Sequence, residues 1–424
     1  MRKYMPRVVD DQIAGKLRST PVVLVEGTRG CGKTTTSQQF AASEVLFDED
    51  ETARGHAAQG TLPLLGGPHP MLLDEWPLVP GLWDRVRRAS DRLGRPGSFI
   101  LSASAQPADY ITTHSGAGRM GRVLMRPMSL WESGVSNGTM SLSRLFEGEF
   151  EAVYRPRSGG GTPEDELRDI IDWLLRGGWP LTQEMAARDA QHFARDYLDE
   201  VCRVDVPRAS GIHHSPLSVR RLLASLARNS ASEASVTTLA ADMGTDGAAS
   251  RQTVSIYLDA LTSVFLYEPQ PAWKGRLLSR TTLRSAPKHH LVDPSLAAAA
   301  VGAGAEGLFG DRPALGLMFE SMATRDLRVY AQANRSTVYH YRDKAGLEVD
   351  AIVERDDGRW IAVEVKLGTP QAIENAARSL RALSAKVDTS ATGPPAALVV
   401  VTSTGQPYLR ADGVGVIPIA SLGP

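Results

Sequence analysis

The sequence predicts a multidomain α/β protein, with a parallel sheet flanked by helices at the N-terminal end, a helical middle and a second, compact α/β unit at the C-terminal end. Three observations lead there. Apolar runs alternate with helical stretches over the first hundred residues, three helical patterns succeed one another from Leu217 to Leu266, and short strands return after Val338 around a single helix. At 424 residues the chain is too long for one ordinary core, and length alone suggests two to four domains of roughly 100–200 residues. The pattern changes place the domains at 1–205, 206–300 and 301–424.

With 42% hydrophobic and 22% charged residues, the composition is that of a soluble globular protein. No stretch approaches the ~20 apolar residues of a bilayer span, and the opening MRKYMPRVVDDQ has charges with no apolar core after them. A cytoplasmic protein without membrane contact is expected. Cys31 and Cys202 are the only cysteines and lack CxxC spacing, which argues against a disulfide framework or a zinc site. The adjacent pairs His213–His214 and His289–His290 read as solvated loop residues. A net charge of −1 argues against a uniformly basic coat and leaves room for a local basic face.

Pro21 to Val25 reads as a buried strand and Thr34 to Ser43 as the helix after it. Met71 to Asp74 and Phe99 to Ser102 are two further apolar runs, separated by a helical stretch from Leu82 to Leu93, so the rhythm is βαβ and the sheet parallel. Between the first strand and its helix, Gly27-Thr28-Arg29-Gly30-Cys31-Gly32-Lys33-Thr34 fits the phosphate-binding pattern GxxxxGK[ST] in full, with Thr35 following. Glycines let backbone N–H groups turn in around phosphates, Lys33 pairs with β/γ oxygens, and the Thr34 hydroxyl reaches Mg²⁺. The helix N-terminus adds its positive dipole end. MLLDE supplies Asp74 for the Mg²⁺ shell and Glu75 to orient an attacking water; two acids ending an apolar strand are otherwise a costly arrangement. ATP and Mg²⁺ are therefore the expected ligands. Ser102 and Ser104 fit either a hydroxyl that senses the γ-phosphate or ordinary strand-end serines. Ser158 to Pro163 is a loop signal, and the acidic residues after it open a helix through Leu175, which suits a helical lid on the nucleotide domain.

In the middle segment, Leu217 to Ala227, Val236 to Met243 and Ser250 to Leu266 form three helices, with Gly244 to Gly247 as the turn before the third. That order is the order of a winged helix-turn-helix, whose third helix enters a major groove and here offers Arg251 and Gln252. From Gln270 to His290 the chain has five basic residues, Lys274, Arg276, Arg280, Arg284 and Lys288, and no acid. Such a run suits a wing on a phosphate backbone, so DNA is the expected partner. Winged helices that serve only protein contacts are the alternative. Ala297 to Gly307 reads as a small-residue connection.

The C-terminal unit reads as strands Val338 to Arg342, Glu348 to Glu354, Trp360 to Lys366 and Ala397 to Val401, with a helix from Gln371 to Leu383. Asp350 lies on one strand, and fourteen residues later Glu364 and Lys366 share one face of the next, since residues two apart in a strand point the same way. Glu320, in a preceding helix pattern, is a third acid. This is the D…ExK arrangement of PD-(D/E)XK nucleases and predicts a restriction-endonuclease-like α/β fold. Glu320, Asp350 and Glu364 would hold Mg²⁺ or Mn²⁺, and Lys366 would position or activate water. A fold can keep such residues and bind DNA without cutting it.

Together GTRGCGKTT, LLDEW, FILSAS and GAGRMGRVLMRPMSLWE resemble the bacterial and archaeal AAA+ ATPases that carry a C-terminal domain of long-unassigned function. Gly118-Arg119, Pro127-Met128-Ser129 and Gly177-Gly178-Trp179-Pro180 match further motifs of that family, and the resemblance covers nearly the whole chain. It implies an AAA+ sheet with a helical lid, a winged helix extending through Pro287-Lys288 and Asp293-Pro294, and a homo-oligomer, with a hexameric ring as one form of it. By the same resemblance Arg119 becomes a candidate for the arginine that reaches a phosphate, with Arg122 and Arg126 competing for the role and surface ion pairs as the alternative. The expected activity is Mg²⁺-dependent ATP hydrolysis coupled to DNA, as a translocating or remodelling motor or as a gate on the nuclease-like centre. A nucleotide-switched regulatory or defence protein, with slow turnover and a non-cutting C-terminal domain, is the rival expectation.

Overall fold

The computed structural model describes residues 3–59, 65–106, 116–151, 162–211, 215–243, 250–275 and 286–424. The chain divides into two compact units, Met1–Pro127 with Ala260–Phe265, and Met128–Asp259 with Leu266–Pro424. Both boundaries expected from the sequence, near 206 and 300, fall inside the second unit.

The first unit runs α1 (Val9–Ser19), β1 (Val22–Glu26), α2 (Lys33–Gln38), β2 (Ser43–Leu46), α3 (Glu51–Gln59), β3 (Met71–Asp74), α4 (Leu82–Leu93), β4 (Phe99–Ala103) and β5 (Met120–Leu124). Its five strands pair in the order β2-β3-β4-β1-β5, all parallel. A parallel sheet must be covered on both faces, and the alternation of side chains along each strand divides the work. Val22, Leu24, Leu73, Phe99 and Leu101 form one core with Trp76, Trp83 and Val86. Val23, Val25, Leu72, Ile100 and Val123 form another with Val9 and Ile13 of α1. The helix expected from Thr34 to Ser43 ends at Gln38. Three successive threonines, stiff at χ1, propagate a helix poorly, and Ser43 to Leu46 pairs with β3 as the edge strand instead.

The second unit runs β6 (Met140–Ser141), α5 (Leu142–Phe146), α6 (Pro163–Arg176), α7 (Ala187–Glu200), α8 (Val206–Ser210), α9 (Pro216–Arg228), α10 (Val236–Asp242), α11 (Arg251–Ser263), α12 (Pro294–Val301), α13 (Ala305–Gly310), α14 (Arg312–Ala333), β7 (Ser336–Arg342), β8 (Glu348–Arg355), β9 (Trp360–Lys366), α15 (Pro370–Lys386), α16 (Thr389–Thr392), β10 (Ala397–Thr402), β11 (Tyr408–Leu409), β12 (Gly415–Pro418) and β13 (Leu422–Gly423). The last four residues of α11 group with the first unit. Six strands form a mixed sheet, ordered β11-β12-β10-β9-β8-β7. Helix α15 lays Ile373, Ala376, Ala377, Leu380 and Leu383 against Trp273, Ile352, Trp360, Ala362 and Val400, while α14 packs on β7, β8 and β9. The helix expected as a lid, α6, packs on α7 and α12 within this unit.

Ala297 to Gly307, expected as a connection, is largely helical. Asp293 caps α12 by accepting from the Ser295 amide and Pro294 occupies the first turn, a strong start signal. The alanines that follow have the highest helix propensity, and their small side chains let α7 and α9 pack closely on α12. The expected loop at 158–161 and the turn at 244–247 lie outside the described residues.

One buried cation holds distant segments of this unit together. The Arg325 guanidinium donates to Asp293 Oδ2 at 2.8 Å and twice to Asp326 Oδ1, at 2.8 and 2.9 Å. Asp293 also accepts from the Gly178 amide at 2.9 Å, and Asp326 from the Leu130 amide at 3.1 Å. Trp179 Nε1 donates to Ser295 Oγ at 3.1 Å, and the Met128 amide donates to Gly178 O at 2.6 Å. Gly177 sits beside this network at φ 68°, where an added Cβ would lie 2.4 Å from Ser295 Oγ and 2.6 Å from Asp293 Oδ1.

Replacing Arg325 with Met leaves Asp293 and Asp326 buried without their counter-ion, and breaking a buried pair in this way costs about 3–5 kcal/mol. Arg325→Lys recovers part of the loss, because an ammonium cannot reproduce the planar fork. Urea and thermal melts of the intact protein check both; an unchanged midpoint for Arg325→Met would remove the network from its supporting role.

Candidate functional site

The phosphate-loop residues converge where β1 and β3 end. Gly27 follows β1 at a point where the backbone just past β5 leaves no room: a Cβ there would lie 2.0 Å from Met125 O. Past it, Lys33 is buried and its ammonium donates to Thr28 O at 3.0 Å. Thr34 Oγ1 donates to Asp74 Oδ2 at 2.9 Å, and Ser102 Oγ donates to the other oxygen of the same carboxylate. Strand β4 lies between β1 and β3 in the sheet, which puts Ser102 beside Asp74. Burial pushes the Asp74 carboxyl up; the Ser102 and Thr34 hydrogen bonds offset this, and Glu75 and Asp48 add to it.

Glu75 adopts the left-handed region at φ 49°, which costs a residue with a Cβ roughly 1–2 kcal/mol. Such strain concentrates at functional positions. Its carboxylate accepts from Ser104 Oγ and from the Ser104 amide at 3.4 Å. Both serines on the FILSAS strand end thus hold an acid of the neighbouring strand. Thr28 and Cys31 are buried, and Arg29, Gly30 and Thr35 are exposed at the loop surface.

Two further residues support the loop with no motif to mark them. Arg7, nearly buried, donates to Cys31 O at 2.8 Å and to Arg126 O at 2.7 Å, tying the loop to the chain beyond β5. The Tyr4 hydroxyl donates to Asp10 at 2.7 Å, and its oxygen lies 3.3 Å from Thr36 Oγ1 of α2. Of the arginine candidates, Arg119 pairs with Asp91 of α4 at 2.6 Å, and Arg122 pairs with Glu26 at 2.6 Å.

In the C-terminal sheet, Asp350, Glu364 and Lys366 come together as the strand periodicity predicts. Lys366 Nζ lies 2.9 Å from Asp350 and 2.6 Å from Glu364, and Asp350 Oδ2 also accepts from the Val365 amide at 2.8 Å. Glu320 on α14 joins them through a residue expected elsewhere. Lys288, placed by the sequence on a phosphate-facing wing, is buried, with its ammonium 2.8 Å from Glu320, 3.0 Å from Glu348 and 3.5 Å from Asp350. Lys288 therefore does not face a phosphate backbone: three carboxylates replace the water its charge would otherwise require. Its backbone pairs with Gln270 through hydrogen bonds of 2.9 and 3.0 Å, and Gln270 Nε2 in turn donates to Tyr339 O and Asp350 O.

Burial and the Asp350 charge push Glu320 up to about 7 against the pull of Lys288. Burial and Asp350 also raise Glu364 well above the usual carboxylate range. Burial acts on Asp350 too, but Lys288 and Lys366 hold it down at about 2. The divalent ion expected at Glu320, Asp350 and Glu364 does not fit this arrangement, because ammonium groups already occupy the space among the carboxylates. Among the described residues, no group of three His, Cys, Asp or Glu side chains is disposed to hold a metal ion.

Of the residues expected to touch DNA, Arg251 and Lys274 are exposed, and Arg276, Arg280 and Arg284 lie outside the described residues, as do His213 and His214. His289 and His290, expected in solvent, are buried. His289 exchanges a 2.7 Å hydrogen bond with Tyr267, and His290 contacts Ser321 and Gln270 at 3.1 Å, because the chain on both sides of them pairs with the 266–270 segment.

Residues 19–133 match the family described as an AAA domain. Residues 167–307 and 315–422 match two families, each described as a domain of unknown function. The uncharacterized protein Rv2008c of Mycobacterium tuberculosis and the uncharacterized protein Mb2031c of Mycobacterium bovis are each 26% identical over 369 residues, covering 86% of this chain and 74% of theirs. Among solved structures, a Walker-type ATPase of Pyrococcus abyssi aligns at 14% identity and a TM-score of 0.41, over 69% of this chain and 94% of that one. The replication initiator DnaA bound to AMPPCP and single-stranded DNA aligns at 14% identity and 0.27, over 60% and 86%. By the family match, the N-terminal part of the chain is an AAA-type ATPase-like domain. No helix among the described residues is long and apolar enough to cross a membrane.

The close approach at Gly27 makes Gly27→Ala a test of the loop. Its Cβ would meet backbone, so the loop must move, and binding of a fluorescent ATP analogue should fall at least tenfold while the melting of the second unit is preserved. At the C-terminal centre, Glu320 keeps a proton in the folded protein that the unfolded chain releases near its ordinary 4.5. The folded state therefore loses stability as pH rises from 4.5 to about 7. Asp350 acts in the opposite sense, with stability lost as pH falls toward about 2. Urea midpoints of the parent and of Glu320→Gln, measured across the upper window, should show a parent-minus-variant difference that falls as pH rises, because only the parent carries the Glu320 contribution while the buried His289 and His290, which act in the opposite sense, are common to both.

Proposed function

We propose that this chain is a Mg²⁺-dependent ATP hydrolase whose turnover is coupled to DNA. The observation that supports hydrolysis best is the convergence of Lys33, Thr34, Asp74 and Glu75 at adjacent strand ends, with Asp74 and Glu75 each held by a separate serine. The loop from Gly27 to Thr34 offers backbone N–H groups and the start of α2 to an anion. Lys33 neutralises phosphate charge. Thr34 and Asp74, already 2.9 Å apart, supply the oxygen ligands that suit Mg²⁺. When bound, Mg²⁺ withdraws charge from the phosphate oxygens. Glu75 orients the attacking water, and Ser104 keeps its carboxylate from turning away. Arg119, if it reaches the phosphates of a neighbouring subunit in a ring, must first exchange Asp91 for that charge.

The coupling to DNA is supported by the basic run containing Lys274, Arg276, Arg280 and Arg284 and by the exposed Arg251 at the start of α11. In this reading the middle segment acts as a winged helix and the C-terminal sheet as a nuclease-like domain. A second reading, a nucleotide-switched regulator with slow turnover and a non-cutting C-terminal domain, is favoured by one observation: Lys288 fills the acid cluster that cutting would need.

Lys33→Ala should abolish nucleotide binding, whereas Glu75→Gln should keep binding and lose turnover, because only the water-orienting group is removed. Equal loss of binding in both would contradict the division of roles. Steady-state hydrolysis with and without long or branched DNA separates the two readings: a DNA-coupled motor accelerates with DNA length, and a switch stays slow at every length.

A further inference from the structure

Lys288 stands out in the second unit as a fully buried cation far in sequence from the acids that surround it. Its ammonium lies 2.8 Å from Glu320 on α14 and 3.0 and 3.5 Å from Glu348 and Asp350 on β8, and its side chain is 1% exposed. Lys366 lies on the other side of Asp350 and also contacts Glu364. Between them the two lysines engage all four carboxylates. Asp350 Oδ2 is further taken by the Val365 amide and Lys366 Nζ, while Oδ1 faces Lys288. Glu320 Oε1 accepts from Lys288.

A divalent ion bound by Glu320 and Asp350 would sit about 2.0–2.1 Å from their oxygens for Mg²⁺, beside the Lys288 ammonium that already contacts both carboxylates. It would then share a buried space with the Lys288 ammonium, where like charges repel far more strongly than in water. The side chain is no loose visitor, since its backbone is bridged to Gln270, and Gln270 is bonded to the carbonyls of Tyr339 and Asp350.

We infer that Lys288 is a built-in cation that takes the place of a divalent metal in the C-terminal centre, so that the intact protein holds neither Mg²⁺ nor Mn²⁺ between Glu320 and Asp350. The charge that a metal would neutralise is already neutralised by the chain itself. The same contact fastens the segment after the basic run onto α14 and β8. As long as Lys288 stays in place, the centre is a structural joint and lacks the ion that metal-dependent phosphodiester cleavage requires.

Titration of Mn²⁺ into the nucleotide-free, full-length protein, with free Mn²⁺ followed by electron paramagnetic resonance, tests this directly. The parent and Asp350→Asn should bind Mn²⁺ identically, because Asp350 holds no ion in either. The double variant Lys288→Met with Glu348→Gln removes one charge of each sign and frees the oxygens, so it should gain one Mn²⁺ per chain, and adding Asp350→Asn should abolish that gain. Mn²⁺ bound by the parent and lost in Asp350→Asn overturns the inference. So does a double variant that melts cooperatively and gains no ion. If the double variant does not fold, the comparison of parent with Asp350→Asn decides alone.

Discussion

The second unit depends on one guanidinium buried between two carboxylates. Arg325 cannot lose its proton and cannot reach water, so Asp293 and Asp326 must meet it wherever the chain is folded. Because Asp293 also takes the Gly178 amide and caps α12, and Asp326 takes the Leu130 amide, a single charge fixes four stretches widely separated in sequence. This gives a physical meaning to three segments that the sequence marked only through a family resemblance. Met128-Ser129, Gly177-Gly178-Trp179 and Asp293-Pro294 converge on the arginine and on each other, and their residue types follow from close packing and buried hydrogen bonds. Gly177 is glycine because a side chain would strike Asp293 and Ser295.

The nucleotide site of the first unit is built on a different principle. Its parts are short-range: a strand, a tight loop and a helix start, with an acid at the end of another strand. The sheet order brings them to one place, since β4 sits between β1 and β3 and its two serines secure Asp74 and Glu75. Strain is spent where it serves geometry, at Glu75, and crowding is tolerated where glycine allows it, at Gly27. Arg7 and Tyr4 brace the loop from the N-terminal segment, and no spacing rule could have marked them, because their partners are a carbonyl of the loop and a threonine of α2.

The two acid centres also differ in how their charge is balanced. At the end of β3, Asp74 accepts from two hydroxyls, which orient a carboxylate without cancelling its charge. In the C-terminal sheet, Asp350 is surrounded by ammonium groups, which cancel it. The same residue type at the same kind of position, an acid on a buried strand, therefore meets opposite electrostatic surroundings.

Much of this was legible in the sequence where the relevant physics is local. The strand Val22 to Glu26, the loop to Thr34, the acids at 74 and 75, the helix from Leu82 to Leu93 and the strands carrying Asp350, Glu364 and Lys366 all follow from residue type and period, because backbone geometry and side-chain alternation act within a few residues. Where small-residue runs were read as loops, Asp293-Pro294 turned Ala297 and its neighbours into a capped helix, a signal present in the sequence but outweighed by the lack of apolar period. What only the tertiary structure decided is the partner of each charge. A lysine in a basic run looks the same whether it faces phosphate or is drawn under a sheet, and the fate of Lys288 depends on Glu320, Glu348 and Asp350 meeting in space. Coulomb attraction in a buried site follows distance through space, and sequence spacing carries no record of it.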